Sequence, residues 1–398
     1  MDGCGSKAGD SQARLRWAVN IAKWHPEGDH EGAEFQFLLH LLPANEREDC
    51  LKMRFMPDKK RAIVSRLLQR AACAHVTSIP FERIVIKRTK GRKPFLADIS
   101  EAQPPRLPHA PNFNFNVSHE GDFVVLASEP SAICGVDVAA PGQARRPGKD
   151  GRMPTAEEML QTFSDVFTPH EKERIRAAAD VDHDFEDDEQ AKEEVFKRHW
   201  SLKEALVKAM GVGLALDLGR AEFHTGGDAG GQKATEVTER RGESEMDNDA
   251  CDSPRRSSTG ICPMLYRSPS RRSVFISDGK RDENEPGDGN GTETARLILD
   301  GVPKPKWRFF IQSLGESKPG PNGGRHWVTV SRGPTEDVTD ANGEFSATWR
   351  KPEYTDEEWR EVLDAPSPHF SMLAVGDLVP ENFRAAYEAA GGEVLQLH

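Results

Sequence analysis

The stretch from residue 112 to 138 constrains the fold most, because its hydrophobic period changes along its length. Apolar Phe113, Phe115 and Val117 alternate with polar residues, as in a strand with one buried face. Two continuous apolar runs, FVVLAS and AICGVDV, follow, and turn-forming residues precede each of them. The pattern predicts an antiparallel meander of three strands.

Helical spacing appears in three other stretches. Residues 58–74 place apolar side chains on one face and basic side chains on the other. Residues 163–179 contain Thr168 as a candidate N-cap, with a proline at the next position. Residues 196–210 form an amphipathic pattern that ends at Gly211, which predicts a helix with a glycine C-cap.

Further strands are predicted near RWAVNIAKW at the start of the chain, and near ARLILDG, KWRFFIQSL and HWVTVSRG in its last third. Residues 180–194 contain nine crowded acids without turn-forming spacing, which favours a solvated loop or an exposed helix face over a metal site. Residues 225–290 are rich in charge and glycine and contain two aromatic residues, so we expect a disordered insertion.

Bulk properties exclude several classes of protein. The formal net charge is -12, which argues against general affinity for nucleic acid. The six cysteines lack CxxC spacing, so reduced thiols inside the cell are expected. No apolar run approaches the ~18 residues of a membrane span, and the first residues lack the core of a secretory signal. We expect a cytosolic protein without membrane contact. A short organelle transit peptide at the start of the sequence is the alternative.

Two acids stand out as candidate functional residues. Asp137 ends an otherwise apolar strand, where a carboxylate is costly unless it is paired or bound to metal. Glu204 and Lys208 lie one helical turn apart on a shared face, which an ordinary surface ion pair would also explain. If the strand acid and the helix acid converge, their oxygens suit magnesium, which typically takes one or two carboxylates together with substrate phosphates.

Positive charge for such phosphates is available in the compact turn RTKGRKP at 88–94, where Gly91 permits a close approach of the backbone. Asn116, Ser118 and His119 lie at the end of a predicted strand and present an amide, a hydroxyl and an imidazole. Taken alone, the turn could be a solvated loop and the histidine a structural hydrogen-bonding group.

Together, the basic turn, the strand NFNVSHEGD, the Gly135 to Asp137 segment and the helix WSLKEALVKAMGVG resemble the phosphopantetheinyl transferase superfamily. The likeness is to its larger type, which acts on carrier proteins of fatty-acid, polyketide, peptide and lysine pathways. It implies an α+β fold of two similar subdomains related by a pseudo-twofold axis, each a small, mainly antiparallel sheet packed with helices. The active site would lie at their interface.

The resemblance also divides the chain. Residues 15–140 would form the first subdomain, and residues 141–224 with 291–335 the second. The insertion at 225–290 would interrupt the second subdomain, and residues 336–398 would form a C-terminal tail. A monomer is expected.

The resemblance implies a role for each matching residue. Asp137 and Glu204 would hold Mg²⁺, and Glu204 would also serve as general base for the acceptor serine, directly or through water. Arg88, Lys90 and Lys93 would hold the 3'-phosphate region of coenzyme A. Ser118 and His119 would contact its phosphates, and Lys208 would contact the pyrophosphate side. The implied coenzyme A site as a whole comprises Arg88, Thr89, Lys90, Gly91, Arg92, Lys93, Asn116, Val117, Ser118, His119, Asp137, Glu204 and Lys208, of which Asp137, Glu204, Lys208 and His119 would be catalytic.

One position departs from the family pattern. Many relatives have a glutamate two residues after the strand aspartate as a third metal ligand, whereas this chain has Ala139. The departure leaves open a coenzyme A-binding regulatory or interaction protein without turnover as the alternative to a transferase. A nucleic-acid binder that uses the basic turn is a third reading, which the net charge disfavours.

Overall fold

A computed structural model describes residues 12–97, 109–141, 152–180, 188–226, 292–315 and 325–394. These residues belong to one compact unit, formed by Met1–Asp228 and Thr292–His398. The expected disordered insertion at 225–290 lies outside the described residues, except for Thr225 and Gly226.

The fold is α+β, as the sequence predicts. The α-helices are α1 (Ala33–His40), α2 (Ala44–Leu51), α3 (Met56–Thr77), α4 (Ala156–Thr162), α5 (Pro169–Arg176), α6 (Asp188–Met210), α7 (Asp356–Asp364) and α8 (Arg384–Ala389). The strands are β1 (Arg16–Asn20), β2 (Ile86–Arg88), β3 (Pro94–Leu96), β4 (Asn114–Glu120), β5 (Phe123–Glu129), β6 (Ile133–Ala139), β7 (Ala221–Thr225), β8 (Glu293–Leu299), β9 (Val302–Pro303), β10 (Arg308–Leu314), β11 (His326–Gly333) and β12 (Ser371–Leu373).

Helix boundaries follow local capping chemistry where it is present. The side chain of Thr168 accepts a hydrogen bond from the Glu171 backbone amide, and Glu171 reaches back to the Thr168 amide, so the predicted N-cap of α5 is confirmed. Helix α6 begins at Asp188, eight residues before the predicted start, because the acid-rich stretch supplies its first turns. Asp188 and Glu189 lie in that first turn, where negative charge is favourable.

Two larger sheets and one hairpin organise the strands. The first sheet has the order β12-β1-β5-β4, and the second has the order β6-β11-β10-β8-β7 with β9 beside β8. Strands β2 and β3 form a separate hairpin around the basic turn. Helix α3 packs on the first sheet through residues such as Ile63, Leu67 and Phe115, and α6 packs on the second through Leu202 and Leu206.

The predicted three-strand meander is wrong at its third strand. β4 and β5 pair as predicted, but β6 pairs with β11 of the second sheet. Side chains of β4 replace the missing backbone pairing: Asn114 Oδ1 accepts from the Cys134 amide at 2.9 Å, and Asn116 Oδ1 accepts from the Val136 amide at 3.2 Å. Because these amides are buried with the side chains, the polar residues of β4 lie in a sheet junction and not in solvent.

Glu129 connects the two larger sheets. Its carboxylate is fully buried and forms ion pairs with Arg14 and Arg16 near β1 and with Arg332 at the end of β11, the last at 2.6 Å. Burial alone would raise the pKa of Glu129, but Arg332, Arg16 and Arg14 together lower it to about 2. The carboxylate is therefore charged in the folded protein at neutral pH.

Residues 334–394, here termed the C-terminal strap, return from the second sheet to the first. Their strand β12 pairs in parallel with β1, with Trp17 opposite Ser371. Tyr387 is buried and donates a hydrogen bond to Glu34 at the start of α1, at 2.6 Å. Apolar residues of the strap such as Val375 and Leu378 therefore contribute to the core around α1 and α3.

Among the described residues, no helix combines the length and apolarity needed to cross a membrane. Cys50, Cys73 and Cys134 are buried and free, and burial raises the pKa of the Cys134 thiol to about 11. These three thiols are thus protonated at neutral pH.

Candidate active site

Helix α6 lies unusually close to β6 because residue 135 is a glycine. A Cβ atom at Gly135 would lie 2.1 Å from the carbonyl oxygen of Ala205 and 2.6 Å from the amide nitrogen of Ala209. Only the absence of a side chain permits this approach. Residues on the same face of β6, two positions along, therefore come next to the polar stripe of α6.

Asp137, Ser118 and Lys208 form a bonded cluster at this contact. The Lys208 ammonium donates to Asp137 Oδ1 at 2.6 Å and to Ser118 Oγ at 2.7 Å. Ser118 Oγ in turn donates to Asp137 Oδ1 at 3.0 Å. Three elements, β4, β6 and α6, each contribute one member, so the predicted convergence of strand and helix residues is present.

Glu204 lies one turn before Lys208 on α6 and faces the same region. Burial raises the pKa of Glu204, the charge of Asp137 raises it further, and Lys208 partly offsets both effects. Two partly buried carboxylates that repel each other are suited to bind a hard cation such as Mg²⁺, because the positive charge would offset their repulsion. Within the described ranges, no group of three or more His, Cys, Asp or Glu residues has a metal-binding arrangement, so the fit rests on this pair.

The basic turn forms the opposite wall. It closes through hydrogen bonds from the Thr89 amide to the Lys93 carbonyl and from the Arg92 amide to the Thr89 carbonyl, with Arg92 in the left-handed region at φ 69°. A Cβ atom at Gly91 would lie 1.8 Å from the carbonyl oxygen of Gly211. The turn therefore rests directly on the backbone that follows α6.

A cavity of about 350 Å³ lies between the turn and α6. Arg88 and Arg92 of the basic turn and Glu204 and Lys208 of α6 contribute its charged lining. The lining residues are Arg88, Gly91, Arg92, Lys93, Pro94, Asn116, Val117, Glu204, Val207, Lys208, Gly211, Gly213, Leu216 and Leu218. Eight of the thirteen residues predicted for the coenzyme A site line it, and Asp137 and Ser118 join it through Lys208.

The remaining predicted residues have other surroundings. Thr89 is buried inside the turn, where its hydroxyl accepts from the Lys93 amide, and Lys90 is exposed. His119 follows Ser118, and desolvation together with the positive charges of Lys208 and Arg61 lowers its pKa, so its ring is neutral at pH 7. Contacts of these three residues with coenzyme A stay predictions.

Lys93 lines the cavity but also has a structural contact. Its ammonium is buried and donates to the backbone carbonyls of Cys134 at 2.6 Å and Lys208 at 3.2 Å. Burial lowers the pKa of Lys93 to about 8. The amine thus ties the basic turn to β6 and to the end of α6, and its predicted phosphate contact stays a prediction.

The helix motif WSLKEA separates into structural and cavity-facing residues. Lys203 is buried and forms an ion pair with Glu171 at 2.8 Å, while Trp200 packs edge-on against Phe163. Glu204 and Lys208 face the cavity. Ala139, where many family members have an acid, is buried on β6 opposite Trp327 of β11.

The cavity also has an apolar wall that the sequence analysis missed. Val207 lies beside Lys208 on α6, and Leu216 and Leu218 follow the turn at Gly211 and Gly213. The two glycines, both at positive φ, were the available signal, because they reverse the chain immediately after the helix.

The fold and the cavity define an α+β protein with a cationic cleft beside a pair of carboxylates. Residues 22–131 match the family described as "4'-phosphopantetheinyl transferase, N-terminal", and residues 133–249 match the "4'-phosphopantetheinyl transferase superfamily". The chain belongs to the 4'-phosphopantetheinyl transferase superfamily, and the resemblance predicted from the sequence is confirmed.

Individual relatives agree with this assignment. A phosphopantetheinyl transferase of Thraustochytrium sp. is 33% identical over 242 residues, which cover 59% of this chain and 75% of that protein. The L-aminoadipate-semialdehyde dehydrogenase-phosphopantetheinyl transferases of Mus musculus and Homo sapiens are 36% and 35% identical over 213 residues. Those 213 residues cover 54% of this chain and 61% of each mammalian protein, so the match spans about three fifths of the length of the mammalian relatives.

Proposed function

We propose that this protein transfers the 4'-phosphopantetheine group of coenzyme A to a serine of an acyl or peptidyl carrier protein and releases 3',5'-ADP. The observation that carries the proposal is the bonded cluster of Asp137, Ser118 and Lys208, which lies next to Glu204 beside a cavity that the cationic turn also lines.

The arrangement of charges fits coenzyme A. The guanidinium groups of Arg88 and Arg92 are suited to the 3'-phosphate region, since arginine binds phosphate oxygens in a bidentate manner. Lys208 would leave part of its contact with Asp137 and turn towards the pyrophosphate. The apolar wall with Val207 and Leu216 offers surface to the uncharged parts of the ligand.

Each residue then has a role in the chemistry. Glu204, directly or through a water molecule, accepts the proton of the acceptor serine, whose oxygen attacks the phosphorus nearest the pantetheine. The new bond joins the serine oxygen to that phosphorus, while the bond between the phosphorus and the bridging oxygen breaks. The leaving 3',5'-ADP keeps the electron pair, and Lys208 offsets part of its charge.

We further propose that Asp137 and Glu204 bind Mg²⁺. When bound, the ion would supply positive charge to the pyrophosphate and to the leaving group. Because position 139 is alanine, these two would be the protein carboxylates on the ion, with water at the remaining positions.

The finer expectations belong to the same proposal. The two larger sheets, each with its long helix, would correspond to the two pseudo-twofold subdomains, with the site between them. Acceptors would be carrier domains of fatty-acid, polyketide, peptide or lysine pathways, and the L-aminoadipate-semialdehyde dehydrogenase for which the mammalian relatives are named is one candidate. We expect a cytosolic monomer with no nucleic-acid partner.

The test is incubation with coenzyme A, Mg²⁺ and several apo carrier proteins, followed by intact-mass measurement of the carriers. We expect a mass gain equal to one phosphopantetheine group, which is lost with Glu204→Gln and with Asp137→Ala. Glu361→Gln, an exposed glutamate on α7, is the matched control and should retain transfer. Binding of coenzyme A without any mass gain would favour the regulatory alternative, and a fully active Asp137→Ala protein would show that the metal site is misassigned.

A further inference from the structure

The basic turn has little structure of its own to hold it in place. Strands β2 and β3 have three residues each, and an isolated two-stranded hairpin is marginally stable at best. The turn nevertheless forms one wall of the cavity, with its arginines at defined positions. Neighbouring elements must therefore fix its orientation.

The C-terminal strap supplies one of these supports. Phe345 is fully buried, and its ring centroid lies 5.6 Å from that of Phe95 in β3. The ammonium of Lys93 lies 5.9 Å from the centroid of the same ring, and Glu344 forms an exposed ion pair with Lys87 of β2 at 3.3 Å. Both strands of the hairpin thus contact the strap.

The same part of the strap also holds the opposite wall. The Thr339 amide donates to the carbonyl of Met210, the last residue of α6, at 2.7 Å. A helix leaves its last carbonyls without partners inside the helix, and this bond satisfies one of them. Between the two supports the strap makes a turn in which Asp340 accepts from the amide of Ser346 at 2.8 Å and from its hydroxyl at 3.0 Å.

We infer that Phe345 is a positioning residue for recognition of the 3'-phosphate end of coenzyme A. Its ring, together with the turn at 340–346, fixes the distance between the basic turn and the end of α6, and so places Arg88 and Arg92 for the phosphate. Phe345 does not line the cavity and acts only through the turn. The inference rests on the proposed function, because it takes coenzyme A as the ligand.

The inference is tested without any transfer step by measuring, with calorimetry, the affinity of the protein for coenzyme A and for dephospho-coenzyme A, which lacks the 3'-phosphate. The wild-type protein should prefer coenzyme A. Phe345→Ala should weaken coenzyme A binding by about tenfold, the equivalent of one lost charge-assisted contact, and change dephospho-coenzyme A binding by less than about twofold. Phe345→Leu, which keeps most of the apolar volume, should restore much of the preference.

Leu363→Ala is the matched control, because Leu363 is a buried residue of the same strap that packs against Ala132 and Trp359, away from the turn. It should lose stability but keep the preference for coenzyme A. If Phe345→Ala does not fold, Asp340→Ala provides the same test, because it removes the oxygen that accepts both hydrogen bonds of the strap turn. If both Phe345→Ala and Asp340→Ala keep the wild-type preference for coenzyme A, the inference alone is overturned. A wild-type protein that binds neither ligand would overturn the proposed function and this inference with it.

Discussion

Replacement of Gly135 by alanine should separate the helix from the strand at the centre of the site. The new Cβ would lie 2.1 Å from the Ala205 carbonyl oxygen, and ordinary contact at 3.4 Å requires about 1.3 Å of separation between α6 and β6. Such overpacking typically costs 1–3 kcal/mol of stability. A movement of that size also stretches the 2.6 Å contact between Lys208 and Asp137 beyond hydrogen-bonding distance.

We therefore expect Gly135→Ala to fold with reduced stability and to lose roughly 100-fold in transfer rate, the usual effect of a displacement of about 1 Å in a catalytic group. Urea unfolding gives the stability, and intact-mass kinetics with an apo carrier protein gives the rate. Gly226→Ala is the control, because nothing lies within 4 Å of a Cβ atom there. A Gly135→Ala protein with a wild-type rate, or with stability within about 0.5 kcal/mol of the wild type, would refute the packing argument.

Three further predictions concern charge and backbone contact. The folded pKa of Glu129, about 2, lies below its ordinary value of 4.5, so its stabilising contribution is present above pH 4.5 and lost as the pH falls towards 2. Urea unfolding of the wild-type protein should show this loss of stability. Glu129→Gln should be less stable above pH 4.5, and its free energy of unfolding should change less as the pH falls. If the free energies of unfolding of both proteins change equally with pH, the prediction is wrong. Burial and the charge of Asp137 raise the pKa of Glu204 in the metal-free protein, and Mg²⁺ on this carboxylate would lower the pKa again, so the loss of transfer rate on acidification should move to lower pH as the Mg²⁺ concentration rises; a pH profile that does not move with Mg²⁺ would contradict Glu204 as a metal ligand. Gly91→Ala should weaken coenzyme A binding in calorimetry, because its Cβ would lie 1.8 Å from the Gly211 carbonyl oxygen, and binding equal to that of Gly226→Ala would contradict that contact.

Much of the fold could be predicted from local sequence signals. Periodicity identified α3 and the C-terminal part of α6, and capping chemistry identified Thr168 as the start of α5. The class of the fold followed from the resemblance to the family. These signals are local, and each depends on residues within a few turns of one another.

The pairing of strands could not be predicted in the same way. Asn114 and Asn116 have the alternation of a strand with one solvated face, yet both side chains are buried and bind the backbone of β6. The sequence pattern indicates only that these residues are polar. Whether their side chains contact water or a buried amide depends on β11, which pairs with β6 and lies about two hundred residues further along the chain.

The candidate site shows the same division. Asp137, Glu204 and Lys208 were predicted because acids in apolar surroundings are unusual and the helix spacing is regular. The contact between Phe345 and the hairpin of the basic turn was not predicted. The tail has no regular hydrophobic period, and no residue near Phe345 in the sequence indicates that its ring packs against Phe95 in β3.

Pairing between β1 and β12 also bears on how the protein forms during synthesis. Strand β1 is made long before residues 371–373, which pair with its outer edge. While the ribosome adds the intervening segments, the nascent chain has an unpaired strand edge beside an incomplete core, a state in which chains are prone to aggregate. The first sheet is therefore completed only after residue 373 has been added, and a ribosome that stalls before residue 371 would leave this edge open.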